Sequence, residues 1–269
     1  MAKEKLTRSE LISLVEAISS GDVKTVRAQL HGLTGVSIRV PQRKNRPARE
    51  TLLMLAAEQG DLPIVRLLIS LRANVNEINE FRQSALWYAV RKNQIATVNL
   101  LLKSGTDPNQ VTVDGDSILH EVAAGSINVK ILRSLIKNGA DPRITNKLGC
   151  SALHIAAFHG RTEVVQVLIR AGADVNHRDR HSQGPLTCAI SRNHKDVATL
   201  LLKNGANPRL QPEALGVAAS EGHLQFVKML IENGWDVRSK SHQGRTPLQH
   251  ARIRKHKTVI GALTDAGAS

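Results

Sequence analysis

Aromatic side chains are scarce in this sequence: one Tyr, two Trp and three Phe make up only 2% of 269 residues. Hydrophobic residues nevertheless reach 41%, so a core has to be assembled from Leu, Ile, Val and Ala. That material suits closely stacked helices and argues against a sandwich anchored on large rings. Cysteine is nearly missing as well. Cys150 and Cys188 cannot make the disulfide framework of a small secreted protein, and no C-x-x-C occurs. No apolar run reaches the ~18 residues of a membrane span, and the opening Met1-Ala2-Lys3-Glu4-Lys5 has no signal-peptide core. These absences predict a soluble chain in a reducing compartment, cytoplasm or nucleus, with no membrane partner. Acid is also in short supply: 23 Asp and Glu face 37 Lys and Arg, a formal net charge of +14. The excess favours an acidic partner, protein or nucleic acid, unless it only keeps the chain soluble.

What is abundant is repetition. A leucine opens a similar segment at Leu53, Leu86, Leu119, Leu153, Leu186, Leu215 and Leu248, with spacings of 33, 33, 34, 33, 29 and 33. A glycine closes each segment at Gly105, Gly139, Gly172, Gly205, Gly234 and Gly267, with Arg72 in that place one period earlier. Small residues recur at Ala56, Ala89, Ala156, Ala189, Ala218 and Ala251, where a first helix has to approach its neighbour closely. Apolar runs such as Val65-Leu67-Leu68-Ile69 and Val227-Met229-Leu230-Ile231 supply a second helix. The closing glycine offers the left-handed conformation that ends a helix.

With Thr246-Pro247-Leu248-Gln249-His250-Ala251 and the partial forms Gly184-Pro185-Leu186 and Ser117-Ile118-Leu119-His120, the chain resembles the ankyrin-repeat family. The resemblance implies an all-α solenoid of stacked helix-turn-helix units carrying β-hairpin fingers. A single domain over 1–269 is expected, with repeats near 11–36, 49–76, 82–109, 115–143, 149–176, 182–209, 212–238 and 244–269. The first of these is divergent, and no room is left for an appended catalytic domain. No unit can bury its apolar face alone, so stacking has to make one continuous core.

Departures from the period mark irregular places. The segment 37–50 reads as an enlarged basic finger carrying Arg39, Arg43, Lys44, Arg46 and Arg49, and deleting Val40 to Arg49 is expected to spare the fold. Between Gly205 and Glu213 four finger residues are missing around Pro208 and Pro212, so a truncated hairpin is expected. The fourth unit has one extra residue near Gly125-Ser126.

Catalytic and metal chemistry find little support. His177 and His181 stand four apart, but Arg178 and Arg180 flank them and oppose a cation. His120 and His154 fall at the signature histidine, which the resemblance assigns to tying down the turn backbone. Cys150 and Cys188 lack a coherent His and Asp constellation, and the glycines keep the repeat period rather than a phosphate-loop spacing. No enzyme activity, cofactor or metal is expected.

The resemblance places binding on the finger tips and on two variable positions after the small-residue pair of each first helix. These nominate Phe81, Arg91, Lys92, Lys147, Phe158, His159, Arg180, His181, Arg192 and Arg254 as partner-binding residues, with His242-Gln243 at the last tip. Phe81 and Phe158 are either binding anchors or rings packed against a neighbouring finger. The basic members would form a broken stripe that attracts an acidic surface. Trp87, Tyr88 and Trp235 read as partly structural. The expected function is a non-catalytic adaptor or scaffold, monomeric on its own, that holds an acidic or extended protein segment in its groove. The alternatives are phosphate contacts with nucleic acid through the basic finger, or an inhibitor or effector clamping a target protein.

Overall fold

The computed structural model describes residues 6–33, 37–41, 47–241 and 244–269. Within the enlarged finger, Arg43, Lys44 and Arg46 lie outside the described residues, as do the tip residues His242 and Gln243. Contacts divide the chain into two compact units, Met1–Asp141 and Pro142–Ser269. The first holds the helix pairs α1 (Arg8–Ser20) and α2 (Val23–Gln29), α3 (Leu52–Gln59) and α4 (Leu62–Ser70), α5 (Ala85–Arg91) and α6 (Ile95–Lys103), and α7 (Ile118–Ala124) and α8 (Val129–Lys137). The second holds α9 (Ala152–Phe158) and α10 (Thr162–Arg170), α11 (Pro185–Ser191) and α12 (Lys195–Lys203), α13 (Glu213–Ser220) and α14 (Leu224–Glu232), and α15 (Pro247–Ile253) and α16 (Lys257–Asp265). Each unit is a stack of ankyrin-type helix pairs, so the chain is an all-α repeat fold.

Apart from α1, these helices have only seven to nine residues, too few to persist alone in water. Their stability comes from stacking. The periodic leucines are all buried, and Ala56, Ala89, Ala156, Ala189, Ala218 and Ala251 are completely so, because a larger side chain would hold neighbouring first helices apart. The starts are set locally. Thr246 accepts from the Gln249 N–H at 3.3 Å while Gln249 Oε1 accepts from the Thr246 N–H at 2.9 Å, a reciprocal cap ahead of Pro247 in the first turn.

Two kinds of side-chain bracket join consecutive repeats. Asn76 Nδ2 donates to the Gly105 carbonyl at 3.1 Å while its Oδ1 accepts from the Asp107 N–H at 2.8 Å. Asn109 does the same with Gly139 and Asp141, and Asn176 with Gly205 and Asn207. The second kind starts from the N-cap of a second helix. Gln94 Nε2 reaches the Gln59 carbonyl at 3.2 Å, and the Nε2 atoms of His194 and His256 meet the carbonyls of Phe158 at 3.0 Å and Ser220 at 2.9 Å. Gly160 makes room for one of these: a Cβ there would lie 2.5 Å from His194 Nδ1, at a φ of +67°.

The fingers differ from the hairpins that the resemblance implies. Among the described residues they contain the isolated bridges Arg39 with Thr51, Val111 with Ser117 and Thr145 with Ser151 rather than strands. A side-chain oxygen does the bracing. Asn79 Oδ1 accepts from the N–H groups of Phe81 and Gln83, both at 2.9 Å, and Asn146 and Asp179 brace their own tips in the same manner. One backbone hydrogen bond then links successive tips: the Val113 N–H to the Phe81 carbonyl, and the Arg180 N–H to the Leu148 carbonyl.

The irregular places resolve individually. The extra residue of the fourth repeat is taken up at Gly125, which ends α7 in an extended conformation at φ −85°, ψ 167°. The base of the enlarged finger belongs to the fold, against the expectation that Val40 to Arg49 is dispensable. Val40 is buried and its N–H donates to the Glu50 carbonyl at 2.7 Å, while Glu50 itself is only 2% exposed and accepts from the Tyr88 hydroxyl at 2.6 Å. In the shortened finger, Gln211 folds inward and is completely buried. Its Nε2 donates to the Val175 carbonyl and Asn176 Oδ1, its Oε1 accepts from the Leu186 N–H, and its carbonyl accepts from Trp235 Nε1 at 2.9 Å. A single glutamine thus replaces the bracing that the four missing residues would have supplied.

Candidate functional site

In the first unit the nominated cations have internal partners. Arg91 and Lys92, at the end of α5, stand 4.0 and 3.6 Å from the carboxylate of Glu58 at the end of α3. The Arg91 guanidinium also lies 5.2 Å from the centre of the Tyr88 ring. Glu121 is adjacent in charge: burial pushes its carboxyl above the ordinary value, and Arg91 partly offsets the shift. This face is therefore a mixed one, with two cations set against two carboxylates. Arg39 of the basic finger pairs with Glu77 at 3.2 Å, and Arg49 is exposed at φ +65°.

Phe81 in the same unit is 46% exposed, so its ring is not covered by the neighbouring finger. Its backbone is fixed through Asn79 and Val113, and Val113 exposes its own side chain at the next tip. The result is a short apolar ledge on rigidly braced turns. Trp87 and Tyr88 are buried, as their signature positions predict.

In the second unit three of the nominated residues, Phe158, His159 and Arg192, come into contact. The guanidinium carbon of Arg192, at the end of α11, lies 4.1 Å above the centre of the Phe158 ring at the end of α9. His159 meets the same ring edge-on at 5.3 Å. The half-buried phenyl presents one exposed arginine with its charge unneutralised by any carboxylate among the described residues. Stacking on a ring holds a guanidinium while leaving its N–H edge free to grip an oxyanion. Lys147 and Arg180 are exposed on consecutive finger tips joined by the Leu148–Arg180 backbone bond, and His181, at the same tip as Arg180, and Arg254, at the end of α15, are exposed on a common side. Arg178, in one finger of this unit, is engaged with Glu213 at 2.9 Å, and Arg238 donates to the Gly267 carbonyl at 3.4 Å.

His181, Glu213, Gly216, Val217, Ile253 and Arg254 border a cavity of about 290 Å³ on that side of the second unit. It was not legible as a site, although the missing finger residues before Glu213 pointed to its place. Leu148 and Ile253, which share a finger tip with Lys147 and a first-helix position with Arg254, are exposed large apolar side chains.

The titratable groups nearby are structural. His154 accepts the Ser151 N–H on Nδ1 at 3.2 Å and faces the Gln183 carbonyl with Nε2 at 3.2 Å, the pattern of a neutral ring protonated on Nε2. Burial holds its pKa down at about 4. His120 caps Ser117 in the same way. His177 Nε2 is hydrogen-bonded to the Gly149 carbonyl at 3.0 Å, so it does not present a pair of rings together with His181. Burial pushes the Cys188 thiol up to about 12, and Cys150 points its thiol at Asp179 Oδ2, 3.7 Å away. Neither is an activated nucleophile. Among the described residues no helix is long and apolar enough to cross a membrane.

Comparison with known proteins agrees with this architecture. The family described as "Ankyrin repeats (3 copies)" matches residues 14–112 and 119–212, and "Ankyrin repeats (many copies)" matches 215–261. The B-cell lymphoma 3 protein homolog of Mus musculus is 30% identical over 232 residues, 82% of this chain and 52% of that protein. The B-cell lymphoma 3 protein of Homo sapiens is 32% identical over 233 residues, 82% and 51%. The chain thus spans about half the length of these curated relatives. Among solved structures, the ankyrin repeat domain of Bcl-3 is 31% identical with a TM-score of 0.70, over 80% of this chain and 98% of that one. The human ASB11 ankyrin repeat domain, 24% identical with a TM-score of 0.68 over 82% and 99%, shares the fold.

Proposed function

This chain belongs to the ankyrin-repeat family, and from that premise we propose that it is a non-catalytic protein-binding module whose second unit holds an acidic, extended segment of another protein. The observation that carries the reading is Arg192, exposed and stacked at 4.1 Å on Phe158, with His159 against the same ring. A fixed guanidinium loses little freedom when a carboxylate arrives, so opposite charge is converted into affinity efficiently. Lys147, Arg180 and Arg254 extend the positive field on the same unit, while His181 is a polar neighbour and Leu148 and Ile253 offer apolar contact beside it. In the first unit, Phe81 serves as an apolar anchor, whereas Arg91 and Lys92 share the carboxylate of Glu58. The likeness to the repeat domain of Bcl-3, described as a unique member of the IkappaB protein family, supports a partner that is itself a protein. Cytoplasm or nucleus is the proposed location.

The test is capture of partners from cell extract on immobilised protein after nuclease treatment, comparing wild type with Arg192→Glu and Arg91→Glu. A defined protein retained by wild type and lost with Arg192→Glu supports the reading. Capture that vanishes with nuclease, and falls steeply with salt, assigns the cations to phosphate instead and overturns it.

A further inference from the structure

We propose that Asn138, Asn204 and Asn233 are latent deamidation sites, kept unreactive by the turns they sit in and converted to aspartate or isoaspartate when those turns open. The reactants are the following glycine and water, so the modification needs no enzyme and does not depend on what binds the repeats.

Three repeats end their second helix on Asn-Gly: Asn138-Gly139 after α8, Asn204-Gly205 after α12 and Asn233-Gly234 after α14. All three asparagines are exposed, so burial does not shield them. In a pliable chain this dipeptide is reactive, because glycine puts no side chain in front of its nitrogen. The nitrogen attacks the asparagine Cγ, the Cγ–Nδ2 bond breaks, and ammonia leaves carrying the proton of the glycine N–H. Water then opens the succinimide at either carbonyl, giving aspartate or isoaspartate.

The fold withholds each participant. The attacking N–H groups of Gly139, Gly205 and Gly234 donate to the carbonyls of Ile136, Leu202 and Ile231 at 3.1, 3.1 and 3.0 Å. The amides to be displaced are tied as well: Nδ2 of Asn138, Asn204 and Asn233 donates to the carbonyls of Ser134, Leu200 and Met229 at 2.8, 2.7 and 2.7 Å. Ring closure also needs the asparagine Cβ eclipsed with the glycine nitrogen, and ψ angles of 20°, 22° and 13° hold the two apart. The next residue fastens each turn. The N–H groups of Ala140, Ala206 and Trp235 reach back to the carbonyls of Leu135, Leu201 and Leu230, and their side chains are buried. Two turns carry a further clamp from the preceding repeat: Asn109 Nδ2 holds the Gly139 carbonyl and Asn176 Nδ2 that of Gly205. Reaction therefore waits on opening, and once it has happened the turn closes less well. The new carboxylate has no N–H to return to the carbonyl four residues back, and it adds negative charge at a helix C-terminus, where the dipole disfavours it.

The experiment follows the full chain in water enriched in heavy oxygen, folded and in urea, by peptide mass spectrometry, alongside hydrogen exchange of the Gly139, Gly205 and Gly234 amides. Relative to its own rate in urea, each site should convert at least about tenfold more slowly in the folded chain. The order of the folded rates should follow the order of glycine exchange, since both report the same open population. Asn109→Ala removes the clamp on Gly139, so it should speed Asn138 conversion and Gly139 exchange severalfold and leave Asn204 and Asn233 at their wild-type rates. Asn204→Asp, which installs the product, should lower the protection of the Gly205 amide. Folded rates equal to those in urea, an order unrelated to glycine exchange, equal acceleration of all three sites by Asn109→Ala, or full protection of Gly205 in Asn204→Asp would overturn the proposal.

Discussion

His154 shows how one buried ring makes stability depend on pH. Its folded pKa of about 4 lies below the ordinary 6.5, so the unfolded chain takes up a proton that the folded chain refuses. Stability is therefore full above pH 6.5, falls as pH drops toward 4 and levels off below it. The loss from this ring between pH 7.5 and 5 should be about 2 kcal/mol in urea unfolding, and His154→Gln, which keeps an acceptor at the cap, should flatten that part of the profile. Tyr88 makes a second residue-scale case. Its hydroxyl joins buried Glu50 to Asn79, so Tyr88→Phe should destabilise the first unit by about 1–3 kcal/mol, read from the urea midpoint. The roles of His120, His154, Trp87 and Tyr88 were legible because the repeat signature fixes their positions. Glu50 was not, since a charged residue closing a basic finger reads as solvated until its hydrogen bonds are seen.

At the scale of the helix pair, the brackets explain why such short helices hold. Each side chain of His194 or His256 satisfies a carbonyl at the end of a helix one repeat back, and a glycine at the turn lets it come close. Gly160→Ala combines a left-handed φ with a collision against His194, so it should cost more than about 2 kcal/mol and lower the Tm by several degrees. The periodic leucines and alanines made the pairs readable from the sequence, because burial repeats with the period. The fingers were harder. Their shape depends on the brace from Asn79, Asn146 or Asp179, and on Gln211 turning inward where the finger is short. Polar residues near a turn look alike in sequence whether they face water or their own backbone.

For the molecule as a whole, a net charge of +14 says less than where the cations are engaged. The sequence predicts a broken basic stripe, and its members differ in their surroundings: Glu58 answers Arg91 and Lys92, whereas Arg192 rests on a ring. Arg91→Glu should therefore place like charges beside Glu58 and lower the melting temperature, while Arg192→Glu should leave melting nearly unchanged and affect binding alone. Thermal unfolding of the two variants side by side separates these outcomes. The asparagine brackets bear on the history of such a chain. Asn76 meets Gly105 and Asp107 in the same way that Asn109 meets Gly139 and Asp141. Because the joint is the same part used again, recombination that gains or loses one whole period presents Asn76 with another glycine and aspartate in register. The array can lengthen or shorten by copying itself, and only changes that break the period, such as the short finger before Glu213, leave a mark that has to be repaired or put to use.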